Sequence, residues 1–248
     1  MAIKKVYIGT SGWSYKHWKG LYYPNDIKST DWLTFYAKQF DVTEINTSFY
    51  HLPKKQTIIN WTEKAPSNFR FCPKISRYIT HIKRLKEPEE SLQKFFDVFE
   101  PMKDKMGPVL VQLPPSLKFD PEVAAHFFTV LKKDYRDYKF AFEVRHETWL
   151  HNDGLDLMAK YDIAFVISQS GAGFPYSEMV TSKNIYIRFH GPAALYASLY
   201  TDKTLLEFAG KFRKWIKEGH TIWTFFNNDY NGYAIHNAET LKKMMKLK

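Results

Sequence analysis

The sequence predicts an α/β fold, a single (β/α)8 barrel of the TIM type with an irregular sixth unit, and three observations carry that reading. Short runs rich in Val, Ile, Phe and Tyr alternate with longer amphipathic stretches, the pattern of repeated βα units and so of a parallel sheet covered by helices. The runs number about eight, the count at which a parallel sheet closes around an interior filled by side chains. The 248 residues suit one barrel of about 250, and no linker, low-complexity tract or compositional shift divides residues 1–248. A doubly wound open sheet is the structural alternative.

In chain order the expected strands are Val6 to Gly12, Val42 to Phe49, Phe69 to Ser76, Pro108 to Pro114, Lys139 to His146, Ile163 to Ser170, Ile185 to Gly191 and Thr221 to Asn228. Helical periodicity falls between them at Asp31 to Phe40, Lys55 to Lys64, Glu87 to Lys105, Pro121 to Lys133, Leu155 to Tyr161, Thr204 to Glu218 and Ala234 to Lys246. Asp120 before Pro121 reads as an N-cap and first helical residue, and Pro88 before Glu89 and Glu90 places acidic groups where the helix dipole favours them. After Ser170 the run Gly171, Ala172, Gly173, Phe174, Pro175 predicts a loop in place of the sixth helix.

Composition narrows the class. Hydrophobic residues at 44% and charged ones at 25% are those of a globular chain able to bury a core without staples. The single cysteine, Cys72, excludes an internal disulfide and fits a reducing compartment. Met1 to Lys5 leads straight into an apolar strand, and no stretch approaches the roughly 18 uninterrupted apolar residues of a membrane span. A cytoplasmic protein with no membrane partner is expected. The net charge of +10 raises the prior for an anionic partner, either a small molecule or nucleic acid. Its distribution weakens that inference, because Lys132, Lys133, Lys211, Lys214, Lys217, Lys242, Lys243, Lys246 and Lys248 fall on helices as a solvated outer face.

Polar residues gather where the strands end. In a parallel barrel those ends and the following loops converge on one mouth, and alternate strand residues share a face. By alternation Glu44, Asn46 and Ser48 project together, as do Lys74 with Ser76, Glu143 with Arg145, and Arg188 with His190. Gln112 stands alone on the fourth strand, and the eighth ends in Asn227, Asn228 and Asp229. Phe140, Phe142, Val144, Ile185, Ile187 and Phe189 then face the helices. Charged groups inside a barrel must be paired or ligand-bound, because burying one alone costs several kcal/mol. Glu44 and Glu143 against Lys74, Arg145 and Arg188 is therefore either a salt-bridge network closing the mouth or a binding site. The loop from Gly9 to Tyr23 carries Trp13, Tyr15 and Trp18, which either lay rings over a pocket or plug it. Asn46, Thr47, Ser48, Phe49 and Tyr50, with Thr80 and His81, extend the same rim.

Several segments in order, IGTSGWSY at Ile8 to Tyr15, EINTSFY at Glu44 to Tyr50, GPVLVQLP at Gly107 to Pro114, AFEVRH at Ala141 to His146, IYIRFHG at Ile185 to Gly191 and FNND at Phe226 to Asp229, resemble the YecE-like family, catalogued as domain of unknown function seventy-two. The resemblance covers essentially the whole chain. It implies a TIM-type barrel, and it implies that Glu44, Asn46, Lys74, Gln112, Glu143, Arg145, Arg188, His190, Asn228 and Asp229 belong to the family pattern. It implies no reaction.

Three functional readings follow. The first is an anionic ligand held by Arg145, Arg188 and Lys74, with Glu143, Glu44 and His190 as proton-transfer groups for phosphoester hydrolysis and Asn46, Gln112, Asn228, Asp229, Trp13, Tyr15 and His81 lining the pocket. A divalent metal would recruit Glu143, His190 and Asp229, but no tight ligand spacing supports one. The second is a glycoside hydrolase using two carboxylates under an aromatic rim. The third is a nucleic-acid binder without catalysis.

Overall fold

The chain begins its ladder with β1 (Val6–Thr10), β2 (Val42–Ile45), β3 (Arg70–Pro73) and β4 (Val109–Gln112), then continues through β5 (Phe140–Glu143), β6 (Ala164–Gln169), β7 (Asn184–Phe189) and β8 (Thr221–Phe226). The structure is a computed structural model describing residues 5–171 and 173–247; the expectations for Met1 to Lys4, Ala172 and Lys248 lie outside them. All recorded pairings are parallel, in the order β3-β2-β1-β8-β7-β6-β5-β4. Isolated bridges at Phe71 with Met106 and Lys74 with Leu110 bring the β3 and β4 edges together. There Gly107 N donates to Phe71 O at 2.8 Å and Ile75 N to Leu110 O at 2.8 Å. The sheet is thus a barrel, and the open-sheet alternative falls.

Each strand starts within a residue of its expected position, but all of them end earlier. β2 stops at Ile45 because Asn46 turns helical (φ −85°, ψ −21°) and Thr47–Tyr50 forms a helical turn, α2, following α1 (Trp32–Tyr36). Asn46 and Ser48 therefore do not share a strand face with Glu44. After β3 a wide helical turn covers Tyr78–Ile82, and Ser76 accepts from Tyr78 N rather than facing the mouth. The longer helices are α3 (Lys55–Lys64), α4 (Glu89–Phe99), α5 (Pro121–Asp134), α6 (Asn152–Lys160), α7 (Asp202–Lys217) and α8 (Tyr233–Met244). Asp120 caps α5 by accepting from Glu122 N and Val123 N, both at 3.1 Å, and Glu89 and Glu90 sit in the first turn of α4. No helix forms among the described residues between β6 and β7, so the sixth unit is irregular.

Alternation divides the apolar residues into two layers. Phe140, Phe142, Val144, Ile185, Ile187 and Phe189 join the large cluster between strands and helices, where Phe142 meets Phe128 of α5 edge-on and Phe189 meets Phe208 of α7. Val42, Cys72, Leu110, Ala141, Ala164, Val166, Tyr186, Trp223 and Phe225 form a second cluster inside the barrel. This inner layer is the floor on which the polar mouth rests. Tyr7 stacks on Trp223 with ring centroids 4.2 Å apart, and a side chain at Gly107 would put its Cβ 2.6 Å from Cys72 Sγ and 2.7 Å from the Trp223 ring. Gly107→Ala is accordingly expected to cost about 1–3 kcal/mol by overpacking, read as a lower urea midpoint at unchanged m-value. An unchanged midpoint would mean that the floor yields freely.

Lys132, Lys133, Lys214, Lys217, Lys243 and Lys246 are exposed, and Lys211 and Lys242 partly so; most of the positive charge lies on outer faces. Among the described residues no helix is long and apolar enough to cross a membrane.

Candidate functional site

The register between strands sets the mouth. Arg188 on β7 lies beside Ser168 on β6, and Gln112 on β4 beside Glu143 on β5. Thr10 pairs with Thr43, so the next pair up is Ser11 with Glu44. Closure carries Glu44, which is far from Arg188 in sequence, to its guanidinium. Arg188 Nε donates to Glu44 Oε1 and Nη2 to Glu44 Oε2, both at 2.9 Å, while Nη1 donates to Glu143 Oε2 at 2.7 Å. Such a fork meets a carboxylate at two points and fixes both orientations.

Other donors complete both carboxylates. Tyr186 hydroxyl donates to Glu44 Oε1 at 2.8 Å and Ser11 hydroxyl to Glu44 Oε2. Glu143 Oε1 accepts from Ser168 Oγ at 2.9 Å, from His190 Nε2 at 3.0 Å and from Arg145 Nη2. Both glutamates have no solvent exposure, and Arg188 has 2%. Burial works to raise the Glu143 carboxyl, but Arg145, Arg188 and the His190 hydrogen bond outweigh it and hold it well below the ordinary range. Burial alone would lower the Arg188 guanidinium; Glu143 and Glu44 reverse that and raise it.

His190 is buried behind this pair. Because a carboxylate only accepts, Nε2 carries the proton toward Glu143, and Nδ1 accepts from Asn227 Nδ2 at 3.2 Å. Burial pushes its pKa down to about 4, so the ring is neutral at physiological pH with both nitrogens engaged.

The remaining two cations are held differently. Lys74 Nζ donates to Gln112 Oε1 at 2.6 Å and lies 3.9 Å from the centre of the Phe49 ring. Among the described residues it has no carboxylate partner within 4.0 Å. Burial, then the neighbouring Arg188, push its pKa down to about 7, with Glu143 and Glu44 pulling the other way. Arg145 stacks its guanidinium 3.3 Å from the centre of the Phe174 ring, and its Nε is buried without a hydrogen-bond partner. Each of these residues is buried but keeps 8% exposure, against 2% for Arg188. His81 adjoins them: its Nδ1 bonds Thr80 Oγ1 at 2.8 Å, and burial followed by the charges of Lys74, Arg77 and Arg145 lowers its pKa.

Beside Glu44 lies a mostly apolar slot of about 340 Å³, lined by Trp13, Tyr15, Tyr50 and Trp61 with Ser11 and Asn46 at its polar end. Gly12, at φ +110°, makes the turn that starts this loop. Tyr15 hydroxyl donates to Ser11 O at 2.5 Å, and Asn46 Nδ2 donates to the same carbonyl at 3.1 Å, leaving Asn46 Oδ1 buried without a partner. Trp13 packs edge-on against Trp61 at 5.0 Å. The loop thus lines a pocket next to the charges while burying Trp18 completely.

The structure brings Glu44, Glu143, Arg145, Arg188 and His190 into one network, with the Lys74–Gln112 pair beside it and Asn46, Trp13, Tyr15 and His81 on its margin. Two residues expected there are held by other partners. Asn228 donates to Ser198 O at 2.9 Å and Asn237 Oδ1 at 3.0 Å, tying the loop before α7 to α8. Asp229 meets His17, its carbonyl 3.0 Å and its Oδ2 3.4 Å from His17 Nε2, and its charge acts on the Tyr15 hydroxyl. Among the described residues no three His, Cys, Asp or Glu side chains converge as a metal-binding group. Tyr186, Ser168 and Phe174 were not singled out in the sequence. The first two occupy inward positions beside recognised neighbours, so the alternation that found Arg188 could have found them.

A family model described as "Protein of unknown function DUF72" matches residues 7–248. The YecE protein of Escherichia coli (strain K12) is 30% identical over 141 residues, 57% of this chain and 48% of that protein, so the alignment spans about half of the relative's length. The YunF protein of Bacillus subtilis (strain 168) is 24% identical over 272 aligned residues, covering 98% of this chain and 95% of that one. Among solved structures, a DUF72 family protein from Thermotoga maritima superposes with a TM-score of 0.83 at 30% identity, covering 97% of this chain and 99% of that one. One from Enterococcus faecalis superposes at 0.84 with 21% identity, covering 98% and 96%, a likeness of fold alone.

Proposed function

Since the chain belongs to the DUF72 family of proteins of unknown function, membership brings no reaction with it, and we propose from the mouth itself that the protein binds a small anionic ligand there through Arg145 and Lys74. One observation carries this reading: three cationic side chains stand against two carboxylates, and the carboxylates are filled. Arg188 spends its guanidinium on Glu44 and Glu143, which makes it their counter-ion rather than an open clamp. The cationic excess falls on Lys74, which lacks a carboxylate partner, and on Arg145, whose Nε is unpartnered. An anion between them would satisfy both, and low local dielectric strengthens the attraction.

The same geometry bears on the reactions considered. Activating water for phosphoester hydrolysis needs a group with a free lone pair, but Glu143 accepts four donors and both nitrogens of His190 are used. A sugar-cleaving pair needs two carboxyl groups facing the substrate, whereas both glutamates are without solvent exposure and share Arg188. Nucleic-acid binding draws support from net charge more than from the mouth. At the mouth, burial and Arg188 leave the protonation of Lys74 poised near neutrality.

Thermal melts with inorganic phosphate, sulfate and a phosphomonoester, against chloride at matched ionic strength, test the binding. A saturable rise in Tm is expected with phosphate, and Arg145→Ala should weaken it by roughly 10–100-fold, the worth of a charge-assisted hydrogen bond. Equal phosphate affinity in the variant, or no rise beyond chloride, removes the reading.

A further inference from the structure

We propose that Lys74 is a nucleophilic amine that forms an imine with a small carbonyl compound bearing an anionic group, such as a short oxo acid. The inference rests on the anion reading above and deepens it by naming the substrate class. Its ground is the way Lys74 is held. A buried lysine kept for structure is normally paired with a carboxylate, because an unpaired ammonium is costly to desolvate. Here both nearby carboxylates are taken by Arg188 and Arg145, and Nζ has only the Gln112 amide oxygen and the Phe49 ring. Arg145 and Arg188 are both close enough for their charge to act on it. A lysine desolvated beside other cations is the arrangement that frees an amine for nucleophilic attack at neutral pH.

The groups facing Lys74 from each side act in opposite senses. Burial, Arg188 and Arg145 favour the neutral amine, while Glu143 and Glu44 favour the ammonium, with a net result near pH 7. Arg145, with its free Nε, would take the anionic group of the ligand and turn its carbonyl carbon toward Nζ. The nitrogen attacks that carbon; the C–N bond forms as the carbonyl π bond breaks. Both amine protons pass to the oxygen, which leaves as water, so the step consumes no oxidant or reductant. Lys74 and Arg145 are each only 8% exposed, which favours a small ligand.

The test uses the whole protein with glyoxylate and sodium cyanoborohydride at pH 7, followed by peptide mapping. At that pH about half of the amines titrating near 7 are neutral, against fewer than about one in a thousand ordinary lysines. Lys74 should therefore be carboxymethylated on the order of a hundredfold faster than the exposed lysines of α5, α7 and α8. Labelling should saturate with glyoxylate, and inorganic phosphate should slow it. In Arg145→Ala the preference for glyoxylate over glycolaldehyde, its neutral counterpart, should fall to about that of an exposed lysine. Labelling of Lys74 no faster than of exposed lysines overturns the inference; if phosphate still raises Tm in the same preparation, the anion reading survives it. Loss of both effects removes both.

Discussion

Arg188→Leu is expected to lower the free energy of unfolding by about 3–5 kcal/mol, the cost of breaking a buried ion pair from one side. Leucine fills part of the space but leaves Glu44 and Glu143 facing each other. Glu44 would retain Tyr186 and Ser11, and Glu143 would retain Ser168, His190 and Arg145, so the loss is that of the shared counter-ion rather than of every donor. Restoring balance should restore stability: adding Glu44→Gln removes one of the two charges and should recover part of the deficit, because a hydrogen-bonded amide needs no counter-ion. Urea denaturation of the two variants reads this directly. A midpoint unchanged by Arg188→Leu would show that the glutamates reach solvent or share a proton, and the description of Arg188 as their counter-ion would fail.

What was legible in the sequence was whatever obeys a period. Charged residues at alternate positions on otherwise apolar strands told which side chains face inward, and barrel closure told that Glu44 and Glu143 would gather with Lys74, Arg145 and Arg188. Backbone that leaves the period defeated the same rule. Asn46 and Ser48 follow Glu44 at even spacing, yet the turn at Asn46 sends Ser48 to donate to Ile45 O and Lys74 O. Asn228 follows β8 and its amide turns toward α8 for the same reason. The rings against Lys74 and Arg145 come from non-strand segments, Phe49 from the short turn after β2 and Phe174 from the irregular sixth unit. The sequence places Phe49 on the rim, but no spacing announces Phe174. The distinction between a fully bonded arginine and one with an unpartnered Nε was equally hidden, since Arg145 and Arg188 each alternate correctly with a neighbour and differ in how many acceptors surround them.

Lys74→Met provides the second large effect, and it appears as a change of slope. The unfolded chain holds the Lys74 proton up to about pH 10.4, whereas the folded chain releases it near pH 7. Between those values the unfolded state binds more protons, so wild-type stability rises with pH; below 7 both states are protonated and the contribution is flat. The rise should amount to roughly 2 kcal/mol between pH 7 and 9 relative to Lys74→Met. Titrations of His190, Cys72 and the tyrosines are common to both proteins and largely cancel in the difference. Loss of the Gln112 contact shifts the variant's curve by a constant without altering its slope. An anion held by Arg145 and Lys74 would stabilise the ammonium, so saturating phosphate should flatten the wild-type curve while leaving the variant's nearly unmoved. Denaturation series for the two proteins at several pH values, with and without phosphate, separate these expectations. Parallel curves without phosphate would mean that Lys74 keeps its proton inside the barrel, which would leave an amine unable to attack a carbonyl at neutral pH.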